Sequence, residues 1–414
     1  MKRIIVKIPI LICMCCMLTG CNAKKQDVVE ITMIHGWGST ESDHVVMRDI
    51  YEEFEKMHPE IHLNMISMPS STDVISKVGD LLTVGEIPDI VFTGGDGRES
   101  IYSFMINKGY AVDLLPYIQE DQNFAKNISP IILDSWTTKE GSLYTVSDVL
   151  LMGGYWYNEE IFKRAGVTKA PGTWEEWLDA CEKIKNLDGQ TVPIILDANH
   201  IAYLMTTILA DENPAELENI RNSKINVNSP VFDKMLEQLR EISEYAVLAG
   251  NYNYRDTLAS FNAGESAIYI NGVWANSMID ADLQVSYAPF PSDDGNGIAT
   301  RSACVGYILG NTGDEKRIEA SVKFLKYMLS EEVAEKIMKQ TGQVPSNPNV
   351  MITEENGGSR LHQAVKCIEN AGLIIENPEN LWDLSEKKEY GENVILYLQN
   401  RIKESEFRKR LSWM

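Results

Sequence analysis

The sequence predicts an α/β fold in which mainly parallel sheets are flanked by helices. Strand-like and helix-like segments alternate from Val28 onward, and this alternation is typical of parallel strands joined by right-handed crossovers. With 414 residues, the chain is long enough for two or more domains. Its hydrophobic content of 44% is sufficient to give each domain a core.

The amino-terminal residues have the pattern of a bacterial secretory signal. Three basic residues fall within the first seven positions, an apolar stretch follows over Ile8–Met17, and Leu-Thr-Gly precedes Cys21. The apolar stretch is too short to span a bilayer, which argues against the alternative of an uncleaved anchor. Leu-Thr-Gly-Cys resembles the bacterial lipobox, so we expect residues 1–20 to be a signal peptide. Residues 21–27 would then be a linker that lipid on Cys21 attaches to the membrane.

Two candidate ligand contacts follow the first predicted strands. Alternating apolar residues predict strands at 29–33, 61–65 and 88–92, and helical spacing predicts helices at 46–57 and 74–82. The first strand is followed by Trp37 between two glycines, and the third by Asp96 between two glycines. Because open α/β sheets bind ligands at the carboxyl ends of their strands, both side chains are candidates for the site.

The segment Gly141–Asn158 carries further recognition chemistry. It places Asp148 before an apolar run and an aromatic triplet whose central residue is Trp156. Beyond it, Thr173 and Glu176 have the spacing of a capping box that opens a helix. We also predict a crossing strand at Tyr110–Pro116, a helix face over Val231–Ile242, a return strand at Val285–Phe290, a helix over Ile318–Leu329 and a closing helix at Val394–Leu411.

A later block, Phe261–Trp274, reads Phe-x-x-Gly-x-x-Ala-x-x-x-x-Gly-x-Trp. This block resembles family 1 extracellular solute-binding proteins. The central segment resembles them too, through Tyr-x-Tyr-Asn, Phe-x-x-Ala-Gly and Thr-Trp between Tyr155 and Trp174. These proteins serve ABC importers, mostly of sugars. The resemblance implies a periplasmic-binding-protein-like fold of two lobes, with the ligand in the cleft between them and no cofactor.

On this basis we expect two lobes that close around the ligand by a hinge motion. One lobe would comprise residues 28–112 and 288–330, and the other residues 113–287 and 331–414. The closed form would present both lobes to the permease subunits of a transporter. We expect the protein to act as a monomer.

Five residues are predicted to line the cleft, where indole rings would pack on a pyranose face and carboxylates would accept hydrogen bonds from hydroxyls. They are Trp37, Asp96, Asp148, Trp156 and Trp274. In the family, the acid after the third strand commonly meets sugar hydroxyls, which implies that role for Asp96. The structural alternatives are that the tryptophans pack in the core and that Asp96 caps a helix.

Other functions find little support. A net charge of −22 argues against nucleic acid as a partner, and neither a phosphate-loop nor a zinc-protease motif is present. His58 and His62 straddle Pro59, which breaks the helix that would bring them together on a metal. Cys181, Cys304 and Cys367 have no metal-binding spacing. The open rivals are a secreted glycoside hydrolase that uses Asp96 and Asp148 as its carboxylate pair, and a surface sensor or adhesin of the same fold.

Overall fold

The computed structural model describes residues 28–95, 101–249 and 254–411. The predicted signal, Cys21 and Asp96 lie outside these residues. The described chain forms two sheets with helices around them, which confirms the α/β class. The strands are β1 (Val29–His35), β2 (Ile61–Ser67), β3 (Ile90–Gly95), β4 (Leu150–Asn158), β5 (Val192–Leu196), β6 (Ala246–Leu248), β7 (Ser266–Gly272), β8 (Val285–Ala288), β9 (Ile298–Ala303), β10 (Val305–Leu309) and β11 (Leu373–Ile375).

The helices account for most of the remaining described chain. They are α1 (Ser42–Met57), α2 (Ser71–Thr83), α3 (Ser103–Asn107), α4 (Leu115–Glu120), α5 (Gln122–Lys126), α6 (Pro130–Trp136), α7 (Glu159–Arg164), α8 (Trp174–Lys185), α9 (Ala198–Glu212), α10 (Glu216–Arg221), α11 (Pro230–Ser243), α12 (Tyr254–Asn262), α13 (Glu315–Met328), α14 (Glu331–Thr341), α15 (Glu354–Glu369), α16 (Pro378–Leu381), α17 (Leu384–Leu398) and α18 (Glu404–Leu411). Within the described residues, no helix combines the length and the apolar character needed to cross a membrane.

The first sheet has four strands in the order β10-β3-β1-β2. Strand β1 pairs in parallel with β2 and β3, as the predicted alternation requires, whereas β10 runs antiparallel to β3. Helix α1 covers this sheet with a buried stripe of Met47, Ile50, Tyr51 and Phe54, which recur at helical spacing. The carboxyl ends of β1 and β3 therefore lie beside the start of β10.

The second sheet has the order β11-β9-β4-β7-β5-β6, and β8 also pairs with β4. Strands β5 and β7 are parallel, and β4 is antiparallel to β7, β8 and β9. Helix α11 packs here through the apolar face predicted over Val231–Ile242, whose large residues are buried. The side chain of Thr173 accepts a hydrogen bond from the Glu176 amide, as a capping box predicts, and the Glu176 carboxylate accepts from Gly172 N over 2.7 Å.

The strand pairing corrects the predicted lobe boundaries. Strand β8 was expected to return the chain to the first lobe, but it pairs with β4, and so does β9. The chain returns only between Ala303 and Val305, so the predicted boundary at residue 288 is wrong. The expected crossing strand at 110–116 is also wrong, because only an isolated bridge from Ala111 to Gly310 forms there and α4 begins at Leu115.

The other two crossings lie later than predicted. Val146 still pairs with Tyr307 of the first sheet, and β4 of the second sheet begins at Leu150. Helix α14 packs against α1, so the first lobe extends beyond residue 330, whereas the following α15 packs against β8. Which lobe a segment joins depends on long-range pairing, and the local pattern of apolar residues carries no information about it.

The three segments that cross between the lobes, at residues 146–150, 303–305 and 342–353, contact one another. The amide of Leu150 donates to Val344 O over 2.8 Å, and the amide of Ser346 donates to Asp148 O over 2.9 Å. The third segment joins them where the Ser147 hydroxyl lies 2.8 Å from Cys304 Sγ. Asp148 thus lies in the connection between the lobes.

The carboxyl-terminal region also differs from the prediction. The expected closing helix at 394–411 is two helices, α17 and α18, separated by residues 399–403, which include Asn400. Asn400 has a φ of 57°, a left-handed conformation that asparagine tolerates better than most residues. Helix α17 packs against α9, so this region completes the second lobe.

Candidate functional site

Two sheet edges face the crossing segments and define the candidate cleft. In the first lobe, β10 begins directly after a crossing and runs antiparallel to β3, so the carboxyl ends of β1 and β3 lie at this edge. In the second lobe, Gly153 near the start of β4 pairs with Gly272 at the end of β7. The residues that follow β1 and β7, which include Trp37 and Trp274, therefore lie at the two edges that the crossings join.

An ion pair bridges these edges. Glu41, in the loop between β1 and α1, accepts a hydrogen bond of 2.6 Å from the guanidinium of Arg255 on α12. Helix α12 packs on β7 of the second sheet, so the pair joins the two lobes. Both side chains are substantially exposed, at 37% for Glu41 and 66% for Arg255. The pair therefore remains accessible to salt.

Trp37 is largely enclosed by its own lobe, with 9% of its surface exposed. One ring face stacks on Phe92 at a centroid distance of 5.3 Å, and His44 packs edge-on at 4.9 Å. Its backbone is held as well, because its amide donates to His35 Nδ1 over 3.2 Å and its carbonyl accepts from Arg48. In this conformation Trp37 offers a ligand only a narrow part of its ring.

A buried hydrogen-bond chain runs from Trp37 to Asp148. The indole nitrogen donates to Tyr51 Oη over 3.1 Å, Tyr51 Oη lies 3.1 Å from Tyr307 Oη, and Tyr307 Oη donates to Asp148 Oδ2 over 2.8 Å. Indole can only donate and a carboxylate can only accept, so each hydroxyl between them donates in the direction of Asp148. The chain therefore links two of the predicted site residues.

Asp148 lies in the interior rather than on an open cleft wall. It is 2% exposed, and burial raises the pKa of its carboxyl group to about 6, although the hydrogen bond from Tyr307 opposes that rise. Its second oxygen, Oδ1, has no hydrogen-bond partner among the described residues. Asp148 therefore belongs to the connection between the lobes. The apolar residues around it in the sequence did not predict this position.

Trp156 lies in the core of the second lobe. Its side chain is fully buried, packs edge-on against Tyr287 at 4.6 Å and donates its indole hydrogen to Gly272 O over 3.1 Å. The structural alternative for Trp156, core packing, describes this environment. Through the bond to Gly272, Trp156 also supports the backbone that leads to Trp274.

Trp274 is the most accessible of the predicted site residues that the structure describes. It is partly buried and lies in the short 3-10 helix Val273–Ser277 that follows β7. Its ring lies directly over Gly272, so a Cβ atom at that position would overlap the six-membered ring. The Gly-x-Trp motif thus has a steric cause, because only glycine lets the indole fold back over the strand end.

Some residues of this region gave no sequence signal for a functional role. Tyr51 belongs to the apolar stripe of α1, and Tyr307 lies within an apolar strand, so both patterns predict ordinary core residues. Glu41 and Arg255 are 214 residues apart, and no local spacing connects them. Asp96, the fifth predicted site residue, lies outside the described residues.

Comparison with known protein families shows the family to which the chain belongs. A family described as bacterial extracellular solute-binding protein matches residues 49–355, which is more than half of the chain. The chain belongs to this family. Membership places this solute-binding protein outside the cytoplasm, and the matched range contains the strand-end residue Trp274 and the crossing residue Asp148.

Relatives of this solute-binding protein include proteins named for sugars. The multiple sugar-binding protein of Streptococcus mutans is 22% identical over 338 residues, which cover 77% of each chain. The melibiose/raffinose/stachyose-binding protein of Bacillus subtilis is 27% identical over 181 residues, which cover 42% of this chain and 39% of the relative. A Streptococcus pneumoniae solute-binding protein, solved with the blood group A trisaccharide, shares the fold. Its TM-score is 0.77 at 23% identity, with 92% of this chain and 98% of that chain covered.

Proposed function

We propose that this protein captures a sugar or oligosaccharide between its two lobes and delivers it to the permease subunits of an ABC transporter. Its family membership and the sugar-named relatives support this function. It would bind its ligand without hydrolysing it. The observation that carries the proposal is the position of Trp274, a partly exposed indole at the strand end where the lobes meet.

The proposed ligand contacts divide between the lobes. Trp274 would provide the ring platform on the second lobe, because an indole packs well on the apolar face of a pyranose. Trp37 would provide a smaller apolar contact on the first lobe, and Asp96 would accept hydrogen bonds from hydroxyls there. We do not extend this role to Trp156 and Asp148, because both side chains are buried.

A thermal-shift screen tests the ligand class. The panel contains melibiose, raffinose, stachyose, maltose and chitin oligosaccharides, with amino acids as the control class. A ligand present at about 100 times its dissociation constant should stabilise the protein by about 2.7 kcal/mol. Stabilisation by amino acids with none by any sugar would contradict the proposal.

Delivery also requires closure of the lobes around the ligand. Small-angle scattering should show a smaller radius of gyration when a sugar identified in the screen is added. An unchanged radius at saturating sugar would rule out the closure step, while leaving sugar binding itself intact.

The proposal includes attachment to the outer face of the cell membrane through lipid on Cys21. A Cys21→Ala change should abolish labelling by a radioactive fatty acid and release the protein from the membrane fraction. Labelling that persists in this variant would place the lipid elsewhere. Size-exclusion chromatography of the purified protein should give the mass of a monomer.

A further inference from the structure

We infer that Tyr51 is a positioning residue for Trp37, and that Tyr307 and Asp148 orient the Tyr51 hydroxyl for this task. The inference deepens the proposed function, because it rests on Trp37 as a sugar contact in the first lobe. None of the three positioning residues needs to touch the sugar, since all three are buried.

The Trp37 indole is oriented by its hydrogen bond to Tyr51. Its ring stacks on Phe92 and is T-shaped with His44, but such ring contacts permit sliding. The hydrogen bond from Trp37 Nε1 to Tyr51 Oη, at 3.1 Å, is the directional contact of the ring. It restrains the side-chain torsions of Trp37 and so determines which edge of the indole faces the cleft.

The hydrogen-bond chain from Trp37 to Asp148 has one consistent direction. Because the indole must donate, one lone pair of the Tyr51 oxygen is occupied, and the Tyr51 hydrogen is best used on Tyr307. Tyr307 in turn donates to Asp148 over 2.8 Å. An acceptor-only carboxylate at the far end lets every hydroxyl in the chain donate once, and such chains strengthen each of their bonds.

The far end of the hydrogen-bond chain, Asp148, lies in the connection between the lobes. Asp148 is held by the amide of Ser346 in another crossing segment, so its position depends on the connection between the lobes. Tyr307 and Tyr51 therefore tie the orientation of Trp37 in the first lobe to the crossing segments. The titratable groups that the described residues direct at Asp148 are these two tyrosines.

The matched variants are Tyr51→Phe and Tyr307→Phe. Each removes one buried hydroxyl that has two hydrogen-bond partners in the same chain. A purely structural role predicts a loss for Tyr307→Phe at least as large as that for Tyr51→Phe, because the bond from Tyr307 to the Asp148 carboxylate is charge-assisted. Of these two tyrosines, Tyr51 is the one to which Trp37 donates a hydrogen bond. A positioning role predicts that Tyr51→Phe weakens binding of raffinose about 10-fold and Tyr307→Phe less than about 3-fold, because Tyr51→Phe removes the hydrogen bond of the indole itself whereas Tyr307→Phe leaves that bond in place.

A double-mutant cycle tests whether Tyr51 acts through Trp37. Trp37→Phe removes the indole N–H, so adding Tyr51→Phe to this variant should cost less than about 2-fold in raffinose affinity. An equal loss from Tyr51→Phe in the presence and absence of the indole would overturn the inference.

A measurement without ligand separates this inference from the proposed function. In ¹⁵N-labelled protein, the indole hydrogen of Trp37 should exchange slowly in the wild type, and Tyr51→Phe should speed its exchange. The indole hydrogen of Trp156, which donates to a backbone carbonyl, should be unaffected and serves as the internal control. If wild-type protein shows this protection but no raffinose binding, the positioning role is supported and raffinose is the wrong sugar.

The exchange measurement also guards against a variant that does not fold. If Tyr51→Phe fails to fold, the wild-type protein still decides the question. Exchange of the Trp37 indole hydrogen at the rate of an exposed indole would show that the bond to Tyr51 does not persist, and the inference would then be wrong.

Discussion

The hydroxyl of Tyr307 donates to Oδ2 of Asp148 over 2.8 Å, and this bond joins the first sheet to a segment that crosses between the lobes. This bond provides a hydrogen-bond donor for one of the two oxygens of the Asp148 carboxylate, which is almost completely buried. The other oxygen has no partner among the described residues, so ionised Asp148 is held at a cost in free energy. Asp148 is therefore the best place to measure how the connection between the lobes responds to pH.

Asp148→Asn should stabilise the protein at neutral pH. Burial raises the pKa of Asp148 from 3.8 to about 6, so the folded state binds its proton more tightly than the unfolded state does. The stability that depends on Asp148 therefore increases as the pH falls from about 6 towards 4, and the penalty for ionisation applies above pH 6. The upper limit of this penalty is about 3 kcal/mol, for a shift of roughly two pKa units.

Urea unfolding of the wild type and of Asp148→Asn at pH 4, 5, 6 and 7.5 checks this prediction. The advantage of the asparagine variant should grow with pH by about 1 to 3 kcal/mol. The Asn amide group must occupy the site of the unpartnered oxygen, so the pH dependence is more informative than the absolute difference. A difference in unfolding free energy that stays constant across this range would mean that the pKa of Asp148 is the same in the folded and unfolded states.

The ion pair between Glu41 and Arg255 should favour the arrangement in which the lobes touch. Because both side chains are exposed, the pair should contribute about 0.2 to 1 kcal/mol, which corresponds to a change in sugar affinity of less than about 6-fold. Arg255→Glu should weaken affinity for the sugar found in the screen, and the double change Glu41→Arg with Arg255→Glu should restore it. The loss should disappear at 1 M salt, where exposed charges are screened.

A loss of affinity in Arg255→Glu that the double change does not restore would contradict the pairing. Lys185→Glu is a suitable control, because this lysine is on α8 of the second lobe and donates to Glu244 O rather than to a group of the first lobe. It changes the net charge equally without contacting Glu41.

Trp156→Phe should reduce stability without changing the ligand class. The substitution removes the hydrogen bond to Gly272 O and leaves a smaller ring against Tyr287, which should cost about 1 to 3 kcal/mol of unfolding free energy. Trp174→Phe is the matched control, since its indole donates to the exposed Glu241 and the change should cost about 0.5 kcal/mol or less. Equal losses in the two variants would argue against a core role for Trp156.

Local pattern predicted those parts of the fold that depend on nearby residues. The strands β1, β2 and β3 and the helix α1 follow from alternating or helical spacing within a few turns of chain. The sheet to which β8 belongs could not be predicted from local spacing, because its partner β4 lies more than a hundred residues earlier. For the same reason Tyr307 and Asp148, which are 159 residues apart, could be recognised as partners only from the structure.

Trp274→Ala should weaken sugar binding far more than it weakens the fold. An aromatic anchor of a binding site typically contributes about 2 to 4 kcal/mol, so the dissociation constant should rise roughly 30-fold to 1,000-fold. The ring is partly exposed, so the loss of unfolding free energy without ligand should be below about 2 kcal/mol, whereas loss of a core tryptophan would cost about 3 to 5 kcal/mol.

Trp274→Phe keeps an aromatic face and should recover part of the affinity. Gly272→Ala should also weaken binding, because the added methyl group overlaps the ring and moves it from its place over the strand end. Calorimetric titration and apo melting on the three variants separate the two roles. A large fall in melting temperature with unchanged affinity in the folded fraction would show that Trp274 belongs to the core and not to the ligand site.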